Sequence, residues 1–430
     1  MDWIWSARYV VTMDAARRVI DDGAVAVRGD RIVAAGPRAE IDRRYKAKQR
    51  LDRPAALIAP GLINAHAHAP MSLLRGVADD LRLEDWLKNF IFPAEAKNVT
   101  ADFVRWGTRL TCLEMLLSGT TTYADMYYFE DAIAEETRAA GLRGVLGETI
   151  IGFPVPDAKT PDDALRSTEG YLQRFRNDAL IVPAVAPHAI YTNSEQTLRA
   201  SRALANRYGA PLLIHVAETK SDRDAVQKLD SWGILNGRTL AAHAVWADDR
   251  DIGTLKARGA AVAHCPSSNM KLASGIAPVV KMLAAGVNTG LGTDGPAGSN
   301  NDFDLLEEID LAAKLQKVAT GDPRALPAEQ ALEMATIGGA RALGLEKEIG
   351  SLEAGKRADL ITVRLDVPNA VPVYSIVSQL VYALKGADVR DAMVNGRLLL
   401  RDRRVLTLDE AQILAKAAAY GAKVRASLGR

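Results

Sequence analysis

Between about residue 56 and residue 295 the chain alternates between two textures. Short runs rich in β-branched and other apolar residues fall at 56–65, 120–127, 143–151, 180–187, 211–217, 239–245, 260–265 and 287–293. Stretches with apolar residues at helical spacing and charges between them separate these runs: Asp102 to Leu117, Glu130 to Ala140, Pro161 to Arg176, Ser194 to Tyr208, Asp248 to Arg258 and Ala277 to Ala285. A strand buried on both faces reads as a continuous apolar run, and such strands alternating with amphipathic helices make parallel β/α units. Eight runs over roughly 240 residues suit a closed (β/α)8 TIM barrel, whose typical length is about 250 residues. The competing doubly wound open sheet would carry a glycine-rich phosphate turn after its first strand, and no G-x-G-x-x-G follows the first run.

The two ends of the chain have another texture. Residues 3–58 hold short alternating strands, with Arg28-Gly-Asp-Arg31 as a hairpin turn, and residues 358–407 repeat the pattern, with Asn395-Gly396 as a second hairpin. This predicts a small β-sandwich domain assembled from residues 1–58 and 350–430, beside a barrel domain at 59–349. Residues 408–428 read as a closing amphipathic helix.

Composition removes several function classes. The formal net charge is +1, which leaves no electrostatic footprint for nucleic acid or an acidic membrane surface. No apolar run is long enough to span a bilayer, and the opening Met1-Asp-Trp-Ile-Trp-Ser-Ala-Arg8 reads as no secretory signal. The two cysteines, Cys112 and Cys265, make neither a disulfide framework nor a thiolate metal site. A cytoplasmic enzyme is the expectation, with no nucleic-acid or membrane partner and with self-association left open.

The six histidines then change the picture. His66 and His68 follow the first apolar run, His188 the fourth, His215 the fifth, His243 the sixth and His264 the seventh, while Asp294 follows the eighth. Functional groups of such barrels gather at the carboxyl ends of the strands, so these seven would meet at one mouth. Alone, a strand-end histidine is more often structural and an aspartate before glycine is usually a turn residue; the joint pattern points to a shared metal site. Positions i and i+2 of a strand face the same way, so His66 and His68 can grip one ion. Imidazole suits zinc, iron or nickel. His264 stays open between a packing role and one behind the ligands.

Five segments carry a family resemblance: Pro60-Gly-Leu-Ile-Asn-Ala-His-Ala-His68, His215-x-x-Glu218, the strand ending at His243, His264-Cys-Pro-Ser-Ser-Asn-Met-Lys-Leu272 and Gly292-Thr-Asp-Gly295. They resemble the amidohydrolase superfamily, as does Gly350-Ser-Leu-Glu-Ala-Gly-Lys-Arg-Ala-Asp-Leu-Ile361. Within it, His68-Ala-Pro-Met-Ser-Leu-Leu-Arg-Gly-Val-Ala-Asp-Asp80 and Leu83-Glu-Asp-Trp-Leu87 are similar to the 5-methylthioadenosine/S-adenosylhomocysteine deaminases. The resemblance implies one divalent metal, Zn2+ before Fe2+, Ni2+ or Mn2+, on His66, His68, His215 and Asp294. It implies that Asp294 takes a proton from water, that Glu218 carries one to the ring nitrogen, and that His243 meets the attacking oxygen. No carboxylated lysine is evident where binuclear relatives place one, so one metal is expected rather than two. The partner is a small purine nucleoside, released as an inosine-type product plus ammonia.

For the substrate, the resemblance implies that Glu95 holds ribose hydroxyls and that His188 contacts the purine; Trp86 and Phe90 are candidates to line the 5′-substituent pocket, with plain apolar packing as the alternative. Glu148 falls where the family can carry an arginine for a substrate carboxylate. An acid there would repel S-adenosylhomocysteine and favour methylthioadenosine or adenosine, unless Arg166 substitutes. Guanine or pterin deamination and triazine hydrolysis share the metal set and are the alternative; a non-catalytic scaffold of this fold would have lost ligands that are all present here.

Overall fold

A computed structural model describes residues 1–429. Eight parallel strands close into a barrel: β1 Leu62–Ala67, β2 Thr120–Tyr127, β3 Arg143–Ile150, β4 Ile181–Pro187, β5 Leu212–Val216, β6 Thr239–His243, β7 Ala261–His264 and β8 Thr289–Leu291. They follow chain order around the barrel, and β8 returns to β1 where Leu291 pairs with Asn64. A helix follows each strand: α1 Ala101–Ser118, α2 Glu130–Ala140, α3 Pro161–Phe175, α4 Glu195–Tyr208, α5 Ala225–Ser231, α6 Asp249–Arg258, α7 Val279–Ala284 and α8 Leu305–Thr320. Six lie where the helical spacing puts them. The other two are α5, which has seven residues and hence only two turns of pattern, and α8, which lies beyond the alternating stretch that ends near residue 295.

The termini build one eight-stranded mixed sheet. Its order is Arg404–Val405, Arg397–Arg401, Val389–Val394, Leu360–Arg364, Gln49–Pro60, Trp3–Val11, Val19–Arg28 and Arg31–Pro37. Both faces are covered: Ile4 and Trp5, adjacent on one strand and each fully buried, belong to different apolar clusters. Both anticipated hairpins form, with Arg28 paired to Arg31 and Val394 to Arg397.

The run 56–65, expected as the first barrel strand, is divided between the two sheets. Residues 56–60 pair antiparallel with residues 360–364, and the barrel strand begins only at Leu62. The transfer happens at Gly61, where a Cβ would lie 2.1 Å from the Thr121 Oγ1. Doubly buried residues look alike in either sheet, so hydrophobicity cannot mark the hand-over.

Apolar side chains fill the lower barrel, among them Ile63, Ala65, Val145, Leu213, Leu240 and Ala263. A short helix, Ile337–Ala342, closes the amino-terminal end; the Ile63 amide donates to Ala335 O just before it. Over the opposite end lies a roof made of the 3-10 turn Ala69–Leu74, the turns Leu83–Trp86 and Leu87–Ile91, and the helix Phe92–Asn98. The C-terminal helix Glu410–Ser427 buttresses that roof, the Asn98 Nδ2 donating to Ser427 Oγ at 2.8 Å. No helix among the described residues is long and apolar enough to cross a membrane.

Candidate active site

Strand alternation delivers only part of the site. On β5, Leu213 faces the barrel interior and His215, two residues on, faces the mouth. On β1 the interior residues are Ile63 and Ala65, so regular alternation would send His66 outward. The ladder to β2 breaks register between Asn64 and Ala67, and this irregularity turns His66 and His68 toward the mouth. On β6, Leu240 is interior and Ala241 lies in the outer cluster, so His243 too has the outward parity. Its left-handed backbone, φ 72°, swings the ring inward. Asp294 is also left-handed, φ 63°.

The result is a tight group. His66 Nε2 and His68 Nε2 lie 3.4 and 3.2 Å from Asp294 Oδ1, and His215 Nε2 lies 3.3 Å from His68 Nε2. The donor atoms of His66, His68 and His215 fall within 4.8 Å of one another, as do those of His66, His243 and Asp294.

These residues fit a cation. His68 Nδ1 is 2.7 Å from Met126 O, and His215 Nδ1 is 2.8 Å from His188 O. A carbonyl only accepts, so each Nδ1 holds the proton and donates it. In the neutral rings both Nε2 lone pairs then face each other across 3.3 Å. His66 Nε2 is buried without a hydrogen-bond partner. Burial would lower His68, but the hydrogen bond and charge of Asp294 outweigh it and push it up to about 9. Burial lowers His66 to about 4 and His215 well below the usual range. Burial would raise Asp294, yet His66 and His68 hold it well below an ordinary carboxylate. One ionised carboxylate beside three imidazoles whose ligand atoms converge is the donor set of a divalent metal, which on binding would displace the proton that Asp294 otherwise keeps on His68.

Around that group stand further titratable side chains. Burial pushes Glu218 up to about 7, against the pull of His243. A carboxyl poised there can both hold and release a proton near neutral pH. His243 Nε2 lies 4.0 Å from Glu218 Oε2 and 3.9 Å from Asp294 Oδ2, and its Nδ1 lies 3.1 Å from Asn269 Oδ1.

Beneath the roof the group opens into a cavity. His68, His215, Glu218, His243 and Asp294 line one side, and Glu95, His188 and Trp86 complete the wall. Glu95 accepts hydrogen bonds from the phenols of Tyr127 and Tyr128, at 2.6 and 3.4 Å. Trp86 donates its indole N–H to Ala297 O at 3.0 Å.

Glu148 does not reach the cavity. Its neighbour Thr149 has the inward parity and lines the wall, while Glu148 Oε2 turns to the start of α2 and accepts from the Glu130 amide at 2.9 Å. Burial and Asp157 push its carboxyl well above the usual range. The electrostatic argument against S-adenosylhomocysteine therefore drops out. Arg166 is exposed on α3, paired with Asp163. Phe90 packs against the core rather than the cavity. His264 is fully buried, with neither ring nitrogen hydrogen-bonded, and also lies off the cavity.

Four contacts escaped the sequence reading. Ser268 Oγ donates to Asp294 Oδ2 at 2.7 Å, and Asn269 holds His243. Both sit in the quoted His264–Leu272 segment, as polar residues of the helix Pro266–Lys271. Tyr127 and Tyr128 stand at the carboxyl end of β2, where the barrel rule alone would have looked.

The sequence matches the amidohydrolase family over residues 57–399, and an imidazolonepropionase-like composite domain of bacteria over residues 23–45. It is 48% identical to a 5-methylthioadenosine/S-adenosylhomocysteine deaminase of Syntrophobacter fumaroxidans, over 95% of this chain and 94% of that one. The fold is similar to that of an adenosine deaminase from Xanthomonas campestris with bound zinc, with a TM-score of 0.97 and 39% identity over 99% of each chain. An atrazine chlorohydrolase from Arthrobacter aurescens complexed with zinc gives a TM-score of 0.89 at 26% identity, over 97% of this chain and 100% of that one.

Proposed function

The chain belongs to the amidohydrolase family and, within it, to the 5-methylthioadenosine/S-adenosylhomocysteine deaminases; from that premise we propose that it hydrolyses the exocyclic amine of an adenosine-type nucleoside to the inosine-type product and ammonia. The observation that carries this reading is the convergence of His66, His68, His215 and Asp294 on one point, with Glu218 and Glu95 on the wall of the adjoining cavity. Those four residues would hold one divalent cation, which we assign as zinc. Such an ion, when bound, supplies a Lewis acid that makes hydroxide available at neutral pH.

The remaining work belongs to the chain. Asp294, kept ionised by the imidazoles beside it, takes the proton that the attacking water sheds. His243, with Nδ1 turned to Asn269, meets that water through Nε2 and steadies the charge growing on its oxygen. Glu218 delivers a proton to the ring nitrogen beside the attacked carbon. The amine then takes the proton held on Asp294 and leaves as ammonia, the carbon–oxygen double bond forms as the carbon–nitrogen bond breaks, and the remaining hydroxyl proton returns to Glu218. Glu95 accepts from the ribose hydroxyls, His188 contacts the purine, and Trp86 borders the 5′-substituent with Leu83 and Leu87.

A panel of adenosine, 5-methylthioadenosine, S-adenosylhomocysteine, guanine and a chlorotriazine, scored for ammonia and chloride, tests the reading, with metal content measured on the same sample. Ammonia from the adenosines and about one metal per chain is the expected result. Guanine or triazine turnover without adenosine turnover would overturn it.

A further inference from the structure

Glu95 is the one acid of the cavity wall that stands on the roof rather than at the end of a barrel strand. It is 3% exposed, and no cation pairs with it among the described residues. Its side-chain partners are two phenols from consecutive positions. Tyr127 OH donates to Oε1 at 2.6 Å and Tyr128 OH to Oε2 at 3.4 Å. Neighbours on a regular strand face opposite ways. These two can serve one carboxylate because β2 ends at Tyr127, so Tyr128 stands beyond the strand and its alternation. Their rings lie 4.8 Å apart, and both line the cavity.

We infer that Tyr127 and Tyr128 are positioning residues that clamp Glu95 as a reader of the ribose cis-diol. The inference rests on the nucleoside reading above and goes past it in assigning the sugar selectivity to this pair. A carboxylate has about four acceptor positions, two on each oxygen. Each tyrosine fills one, so one remains on each oxygen, turned to the cavity. Two vicinal hydroxyls supply two matching donors. A sugar without them leaves buried charge unpaired, which is the more unfavourable for being out of water. The clamp also fixes distance. Met126, the residue before Tyr127, gives its carbonyl to His68 at 2.7 Å. Three consecutive residues thus orient a ligand of the reacting centre and the acid that holds the sugar.

The test is a cycle of variant against substrate on the metal-loaded enzyme, with kcat and KM measured for adenosine and 2′,3′-dideoxyadenosine. Wild type should prefer adenosine by about 10- to 100-fold in kcat/KM, the range for lost hydrogen bonds to a charged group. Tyr127→Phe should lose about tenfold on adenosine, mainly through KM, and stay within about twofold on the dideoxy substrate. Tyr128→Phe, with the longer bond, should show the same pattern more weakly, and it carries the test if Tyr127→Phe does not fold. Equal losses on both substrates, or a wild type indifferent to the hydroxyls, would overturn the clamp while leaving deamination intact. Failure of wild type to release ammonia from any adenosine would instead remove the nucleoside reading, and the clamp with it.

Discussion

The two ends of the barrel are built on opposite principles. At the amino-terminal end the helix Ile337–Ala342 packs carbon on carbon, so closely that a Cβ on Gly290 would lie 3.0 Å from Ala65 Cβ and 3.1 Å from Gly339 Cα. At the carboxyl end Ala217, His243, Ala244 and Asp294 all take positive φ, between 48° and 72°. Buried polar atoms there, His66 Nε2 and Asn269 Nδ2 among them, have no hydrogen-bond partner. Strained backbone persists only where the surroundings impose it, and it clusters where chemistry is done. The bottom holds the fold so that the mouth can carry this burden.

That contrast can be broken at either end. The largest effect is expected from His66→Ala, which should abolish both metal uptake and turnover while leaving the metal-free protein as stable as metal-free wild type. Metal analysis and thermal melts check it; a melt that collapses would make His66 a structural residue. Glu218→Gln comes next, with a loss of about 10²- to 10⁴-fold in kcat and unchanged metal content. A near-normal rate would end its role as proton carrier.

A pH series sharpens the picture of the mouth. Burial holds Glu95 up to about 7, although Tyr127, His68 and Tyr128 pull it down. This folded value lies above the ordinary carboxylate value, so the group's contribution to stability is complete below the ordinary range and is lost as pH rises through about 7. On the proposed role, binding runs the other way, because the ionised form is the one that would accept from the hydroxyls. Adenosine affinity, measured on Glu218→Gln enzyme, should rise by up to about tenfold between about pH 6 and pH 8. A flat profile would mean that Glu95 does not bind as the anion.

At the bottom, Gly339→Val should lower stability by about 1–3 kcal/mol through overpacking. The β-carbon would sit 3.0 Å from Met334 O and 3.1 Å from Ile63 Cβ. The folded fraction should keep its kcat/KM, and a changed kcat/KM would show that the two ends are coupled. The smallest effect is expected from Glu148→Gln. Burial and Asp157 raise the carboxyl, and its Oε2 turns away from the cavity to the Glu130 amide, so the change to an amide should alter kcat/KM by less than about twofold. A large change would bring Glu148 back to the substrate.

Much of this was legible along the chain. The eight apolar runs announced the barrel, the pair at His66 and His68 announced a cluster of imidazoles, and Asn395-Gly396 announced its hairpin. Pattern failed where it assumes regularity. Glu148 and Thr149 are equally apt strand-end residues in the sequence, and only the closed barrel shows which of them faces inward.

The amino-acid order by itself determined the alternation of elements and the chemical types collected at the strand ends, because burial periodicity and residue chemistry are local properties. Tertiary structure alone decided the direction of each side chain: the register break that turns His66, the left-handed turn that brings in His243, the hand-over at Gly61 and the meeting of Glu95 with Tyr127 and Tyr128. The physical reason is that an irregular strand no longer obeys a period of two, and contacts between distant segments exist only once the barrel has closed.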